Sequence, residues 1–117
     1  MGEKIAVIGA GAWGTTIANL LAGNGHDARL WVREENLIEV LQKERCNSKY
    51  LPGIRLSENI SFFSRVDKCI EGCKIVFLAV PSGHIREMCK KIAPFAADGV
   101  FVVNLAKKIT YNMISIQ

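Results

Sequence analysis

No apolar run in the sequence approaches the roughly 20 residues needed to span a bilayer, and no internal repeat or low-complexity tract is present. The opening Met1-Gly2-Glu3-Lys4-Ile5 leads straight into a strand-like segment, without the apolar core or cleavage site of a signal peptide. No membrane association is expected, and the cytoplasm is the expected location. Charge of one sign is not gathered either. The 15 basic residues give a net charge of +4 but are scattered along the chain, whereas nucleic-acid binders concentrate theirs in a stripe or arm. No nucleic-acid partner is expected, and a mildly positive surface favours an anionic small molecule. Only two histidines, His26 and His84, are available, and neither stands at a metal-ligand spacing from a close cysteine pair. No metal site is expected.

What is present is half apolar and 22% charged, the balance of one globular domain. The four cysteines read as core residues more than as ligands. Val66, Cys69, Ile70 and Cys73 fall at i, i+3, i+4 and i+7, the buried stripe of a helix, and Ile85, Met88, Cys89 and Ile92 repeat it. Cys46 falls in a loop.

Along the chain, strands and helices alternate. Lys4 to Ile8 reads as a strand ending at Gly9, followed by a helix with Ile17, Leu20 and Leu21 on one face, closed by Gly23-Asn24-Gly25. Ala28 to Val32 is the second expected strand. Glu34 or Glu35 then opens a helix with Leu37, Val40 and Leu41 inward. Cys46 to Asn59, with its Pro52-Gly53 pair, reads as a long surface excursion. Ile60 to Phe63 follows as a strand, then a helix capped by Ser64 with Asp67 three residues on. A strand over Lys74 to Val80, a helix from about His84 to Ala93 and a strand over Val100 to Leu105 complete the order. This alternation predicts an α/β fold, a doubly wound and mainly parallel sheet covered on both faces.

Gly9-Ala10-Gly11-Ala12-Trp13-Gly14 matches G-x-G-x-x-G directly after a strand and at the start of a helix, the setting of a Rossmann-type dinucleotide-binding turn. In that setting Gly9 permits the tight turn, Gly11 leaves room for a pyrophosphate and Gly14 lets helix and sheet approach closely. Backbone amides near Ala12 and Trp13 would face the phosphates. Trp13 itself either flanks the coenzyme or packs on the next loop. The second strand ends Trp31-Val32-Arg33, which puts a cation where NAD-binding domains carry an acid. Arg33 suits a 2′-phosphate, so the sequence favours NADP over NAD without excluding NAD. Glu34 and Glu35 come immediately after Arg33 and could serve NAD instead, but acids in the first turn of a helix are more ordinarily partners of its dipole.

Three segments together resemble the NAD(P)-dependent glycerol-3-phosphate dehydrogenases: Gly9 to Thr15, Leu30-Trp31-Val32-Arg33, and Asn47-Ser48-Lys49-Tyr50-Leu51-Pro52-Gly53. Ala79-Val80-Pro81-Ser82 is shared more widely, with relatives of 6-phosphogluconate dehydrogenase. The likeness runs from about residue 4 to residue 109. It implies reversible hydride transfer between glycerol 3-phosphate and dihydroxyacetone phosphate, a small phosphate substrate, in the supply of phospholipid precursors. It also implies that Lys107, after the strand ending Val103-Asn104-Leu105-Ala106, lies near the nicotinamide and the substrate. A cation there can hold the phosphate or polarise a carbonyl. Lys108 stands where the family has glycine. The family's helical second domain, with the lysine that acts in proton transfer, has no counterpart here, so no catalytic residue is assigned to this chain. Residues 1–109 are read as the coenzyme-binding domain and 110–117 as a short tail. The residues present are expected to bind nucleotide and turn over negligibly. The other reading is a stand-alone dinucleotide-binding or partner-docking module that forms a homodimer through the face a second domain would cover, with Met113, Ile114 and Ile116 adding apolar surface.

Overall fold

The computed structural model describes residues 2–105 and 113–115, and in it the first apolar block becomes a strand buried on both faces. β1 (Lys4–Ile8) carries Ala6 and Ile8 into one apolar cluster and Val7 into the other, all three fully buried. Burial on both sides requires helices above and below a parallel sheet. The chain supplies them in order. α1 (Ala12–Gly23) leads to β2 (Asp27–Trp31), and α2 (Glu35–Glu44) leads to a hairpin of β3 (Cys46–Asn47) and β4 (Leu51–Arg55). Then come β5 (Ile60–Phe63), α3 (Val66–Cys69), β6 (Ile75–Leu78), α4 (Ile85–Ile92), β7 (Phe101–Asn104) and β8 (Met113–Ser115).

Among the described residues the main sheet runs β5-β2-β1-β6-β7-β8, parallel apart from β8, which pairs antiparallel with β7. This is the expected doubly wound α/β order, with the direction of winding reversing between β1 and β6. Residues 113–115 of the tail segment lie along the edge of that sheet. On one face α3 and α4 bring Cys69, Ile70, Met88 and Ile92 onto Ala6, Ile8, Val76 and Leu78. On the other, Ala18 and Ala22 of α1 and Leu41 of α2 meet Val7, Ala28 and Leu30.

Several expected details differ. α1 turns Gly14, Thr15, Ala18 and Ala22 to the sheet, while Leu20 is 61% exposed. A helix lying this close to a sheet has room only for small side chains, and they stand at i, i+4 and i+8. Ile17 and Leu21 are half-buried beside that stripe. Likewise α2 buries Leu41 and leaves Val40 exposed, with Ile38 taking the inner position beside Leu37. Gly25, at φ +92°, takes the left-handed turn after α1, whereas Asn24 does not. Ser64 caps nothing. Arg65 occupies the N-cap of the single-turn α3, Asp67 pairs with Arg65, and the Ser64 carbonyl accepts a hydrogen bond from Trp31 Nε1 at 2.9 Å. The helix expected over His84 to Ala93 is α4 flanked by two short 3-10 turns, Ser82–His84 and Ala93–Phe95. The segment from Cys46 to Asn59 is not purely a surface excursion, because Asn47 and Leu56 are buried within it.

Candidate functional site

The place where the sheet reverses its winding is fixed by register. Ile8, the last residue of β1, sits between Trp31 of β2 and Leu78 of β6. Just beyond it, the Gly9 amide donates to the Trp31 carbonyl at 3.2 Å and the Ala79 amide donates to the Ile8 carbonyl at 2.9 Å. The chain must then turn sharply into α1. Gly9 does so at φ +120°, and a Cβ on it would lie 2.7 Å from the Ala79 carbonyl oxygen. Gly14 is equally constrained for a different reason: a Cβ there would fall 1.9 Å from the Gly9 carbonyl oxygen, so helix and turn touch through it. Gly11 is unlike both. Its backbone, φ −74° and ψ −170°, is open to any residue, and a Cβ on it would meet nothing within 4 Å. Packing among the described residues gives no reason for glycine there.

Gly11 is the N-cap of α1, and no side chain caps the helix; its first turn also lacks any acidic residue. The positive end of the helix dipole therefore meets the open space in front of Gly11 with no side-chain cap and no acidic residue in the first turn to answer it. Trp13, 55% exposed, is not buried against a neighbouring loop.

The turn is held from the β3–β4 hairpin. Asn47 is fully buried, and its Nδ2 donates to the Ala10 carbonyl and to the Thr15 hydroxyl, each at 2.9 Å. The Thr15 hydroxyl in turn donates to the Ala10 carbonyl at 3.2 Å. Asn47 Oδ1 is buried and accepts no hydrogen bond among the described residues. Neither Asn47 nor Thr15 stood out as a site residue on sequence grounds. An asparagine in a polar loop looks like any turn residue, and the one sign of its role is that it begins the Asn-x-x-Tyr-Leu-Pro-Gly string.

The end of β2 forms the second part of the site. The Val32 amide donates to the Phe63 carbonyl, which fastens the strand to β5 up to this point, and Arg33 beyond it is exposed. Glu34 does not serve as a side-chain cap for α2. Its carboxylate pairs instead with Lys49 Nζ and accepts a hydrogen bond from the Tyr50 hydroxyl at 2.7 Å, while Lys49 also lies 5.2 Å from the centre of the Tyr50 ring. The Lys49 hydrogen bond, then that of Tyr50, lowers the Glu34 carboxyl below its ordinary value, and the same contact with Glu34 raises Lys49. The expected partnership of Glu34 with the helix dipole is thus replaced by a cross-loop ion pair; Glu35 keeps its place in the first turn of α2.

Lys107 and Lys108 lie outside the described residues. Among the described residues, no group of three or more histidine, cysteine or carboxylate side chains is arranged to hold a metal ion, and no helix is long and apolar enough to cross a membrane.

A glycine turn at the reversal point and an uncapped helix start are what dinucleotide-binding domains share. Which family this one falls in is decided by comparison. A family model for the N-terminus of NAD-dependent glycerol-3-phosphate dehydrogenase matches residues 4–116. The chain belongs to that family. The match runs past residue 109, where the recognisable motifs end, and takes in most of the tail. The family is one of NAD(P)-dependent oxidoreductases. A glycerol-3-phosphate dehydrogenase [NAD(P)+] of Citrifermentans bemidjiense is 40% identical over 115 residues, 98% of this chain and 34% of the relative. The corresponding protein of Geobacter sulfurreducens is 43% identical over 114 residues, 97% of this chain and 34% of its own. Among solved structures, the glycerol-3-phosphate dehydrogenase of Coxiella burnetii is similar with a TM-score of 0.82 at 30% identity, over 92% of this chain and 34% of that one. The chain therefore spans about a third of the length of these relatives.

Proposed function

We propose that this chain is the coenzyme-binding part of a glycerol-3-phosphate dehydrogenase of the cytoplasm, and that the turn from Gly9 to Gly14 receives the pyrophosphate of NADP or NAD. The observation that carries the reading is Gly11. Nothing among the described residues forbids a side chain there, yet one would occupy the space directly before the uncapped start of α1. That space suits an anion held by backbone amides, those of Ala12 and Trp13 among them. Asn47 and Thr15 keep the turn in shape while it does so. The residues present fit the coenzyme.

Arg33 is assigned to the adenosine end, where its guanidinium favours a 2′-phosphate and hence NADP. Lys107 is assigned, through the family motif, to the nicotinamide end and to the phosphate of the substrate. When bound, the coenzyme supplies or accepts the hydride that interconverts glycerol 3-phosphate and dihydroxyacetone phosphate, a route to phospholipid precursors. The part of this chain is to bind and orient. No residue of it is assigned the proton transfer, and turnover also requires the substrate to be oriented against the coenzyme. Mixed with NADPH and dihydroxyacetone phosphate, the chain is expected to bind coenzyme without sustained loss of absorbance. Arg33→Asp tests the adenosine end: NADPH affinity should fall about tenfold or more, since an anion would face the 2′-phosphate, with NADH affected far less. Equal losses for both would remove Arg33 from that role.

A second reading, a stand-alone dinucleotide-binding module that pairs with its own copy, is favoured by exposed apolar side chains such as Leu20 and Phe95, the latter 55% exposed. Sedimentation of a clean monomer at all concentrations would dismiss it.

A further inference from the structure

Coenzyme choice at the end of β2 involves more than Arg33. Two carboxylates, Glu34 and Glu35, follow it directly, and an acid at this end of the second strand ordinarily favours the free 2′-hydroxyl of NAD and repels a 2′-phosphate. Left alone, Arg33 would share the surface with two anions. The structure shows that one of them is not left alone. Lys49, sixteen positions beyond Arg33 on the β3–β4 connection, closes onto the Glu34 carboxylate, and the Tyr50 hydroxyl occupies its other oxygen at 2.7 Å. Both carboxylate oxygens are engaged. Arg33 has no such partner: none of the hydrogen bonds or ion pairs found among the described residues uses its guanidinium.

We propose that the Glu34–Lys49–Tyr50 group is an ionic latch that sets coenzyme preference: Lys49 offsets the Glu34 charge and Tyr50 engages the other carboxylate oxygen, so that less of the Arg33 charge is answered by Glu34 and more of it is left for a 2′-phosphate. The inference rests on the dinucleotide site proposed above and adds to it a specificity-determining role for a residue of the hairpin loop. The latch also explains how an acidic residue can follow Arg33 without turning the preference towards NAD. Its hydrogen bonds satisfy the carboxylate that would otherwise reach for a ribose hydroxyl.

The test is a calorimetric titration of the full chain and three variants with NADPH and with NADH. Lys49→Met keeps the bulk of the side chain, which is 56% exposed, and is expected to leave the fold intact. NADPH should then bind about fivefold more weakly, the size expected of one uncompensated charge a few ångströms away in a partly screened setting, while NADH changes by less than about twofold. Glu34→Gln alone should leave NADPH binding unchanged or tighter. Glu34→Gln combined with Lys49→Met should restore NADPH to within about twofold of the unmodified chain, because the anion that Lys49 answers is gone. Three results would overturn the latch: equal weakening of both coenzymes by Lys49→Met, no effect of that change, or no restoration in the double variant. If the unmodified chain binds neither coenzyme, the site itself is wrong and the latch falls with it; if it binds both and the variants keep its preference, the latch alone is wrong.

Discussion

Asn47 and Thr15 are joined by a hydrogen bond of 2.9 Å between residues 32 positions apart, and both close on the carbonyl of Ala10. A hairpin that looks peripheral thereby fixes the turn that faces the coenzyme. The bond is fully buried, so neither partner can turn to water when the other is lost. Asn47→Ala should cost about 1–3 kcal/mol of stability, the penalty for leaving buried polar groups unmatched, measured by urea unfolding. Coenzyme binding should weaken with it. An unchanged unfolding midpoint would show that the hairpin does not hold the turn.

Gly11 and Gly14 make opposite predictions, although they belong to one motif. Gly14→Ala drives a methyl group into the Gly9 carbonyl, 1.9 Å away, and should destabilise the fold by about 1–3 kcal/mol or more. Gly11→Ala meets nothing and needs no unusual backbone. It should leave thermal unfolding almost unchanged and still weaken coenzyme binding. Thermal melts beside titrations separate the two, and a Gly11→Ala variant that binds normally would contradict the role given to that open space.

The cysteines should divide by burial. Apolar surroundings push the Cys69 thiol strongly up and raise Cys73 to about 11, and Cys89 is raised as well. Thiolate is the reactive form. At neutral pH the native chain should expose Cys46 to a disulfide reagent, Cys89 slowly, and Cys69 and Cys73 only after unfolding. Four equivalents reacting at once in the native chain would be incompatible with the packing of α3 on the sheet.

The Glu34–Lys49 pair has a definite pH window. Hydrogen bonds from Lys49 and then Tyr50 hold Glu34 below its ordinary value of 4.5, and the bond to Glu34 holds Lys49 above its ordinary 10.5. A lowered carboxyl stabilises the fold above its ordinary value, and the contribution is lost as pH falls through the lowered one. A raised amine contributes below its ordinary value and is lost as pH rises through the raised one. Between 4.5 and 10.5 the pair is complete. An NMR titration of the Glu34 carboxyl should find it below 4.5 and moving upward in Lys49→Met. A normal value in the unmodified chain would show that the pair does not form in solution.

Much of this architecture can be read from residue order, because local rules and the fold agree. β1 and the glycine turn are marked by a run of apolar residues ending in G-x-G-x-x-G. The helical spacing of Val66, Cys69, Ile70 and Cys73 names core residues but overstates the helix, since α3 ends at Cys69 and Cys73 is buried from the turn beyond it. The face of α1 is misread for a physical reason: large apolar residues normally mark the inner side of a helix, but here Gly14, Ala18 and Ala22 do so because the helix must lie close to the sheet. Leu20 then falls outward. Val40 is misread for a different reason, because α2 turns Ile38 inward beside Leu37 and Leu41 and leaves Val40 outside. Asn47, Lys49 and Tyr50 are harder still. Their partners, Ala10, Thr15 and Glu34, are distant in sequence, and no periodic pattern announces a contact made once between a loop and a turn. Only the likeness of the Asn47 to Gly53 string to a known family points to the loop, and it does not say what the loop holds.

The central claim is that amides at the start of α1, cleared of side chains at Gly11, receive a dinucleotide. Its most direct test is calorimetry of the folded chain with NADPH and NADH, beside the Gly11→Asp variant. Saturable one-to-one binding is expected, with a dissociation constant below about 1 mM, tighter for NADPH, and abolished when a carboxylate occupies the mouth of the helix. Failure of both coenzymes to bind at that concentration, or unchanged binding by Gly11→Asp, would contradict it.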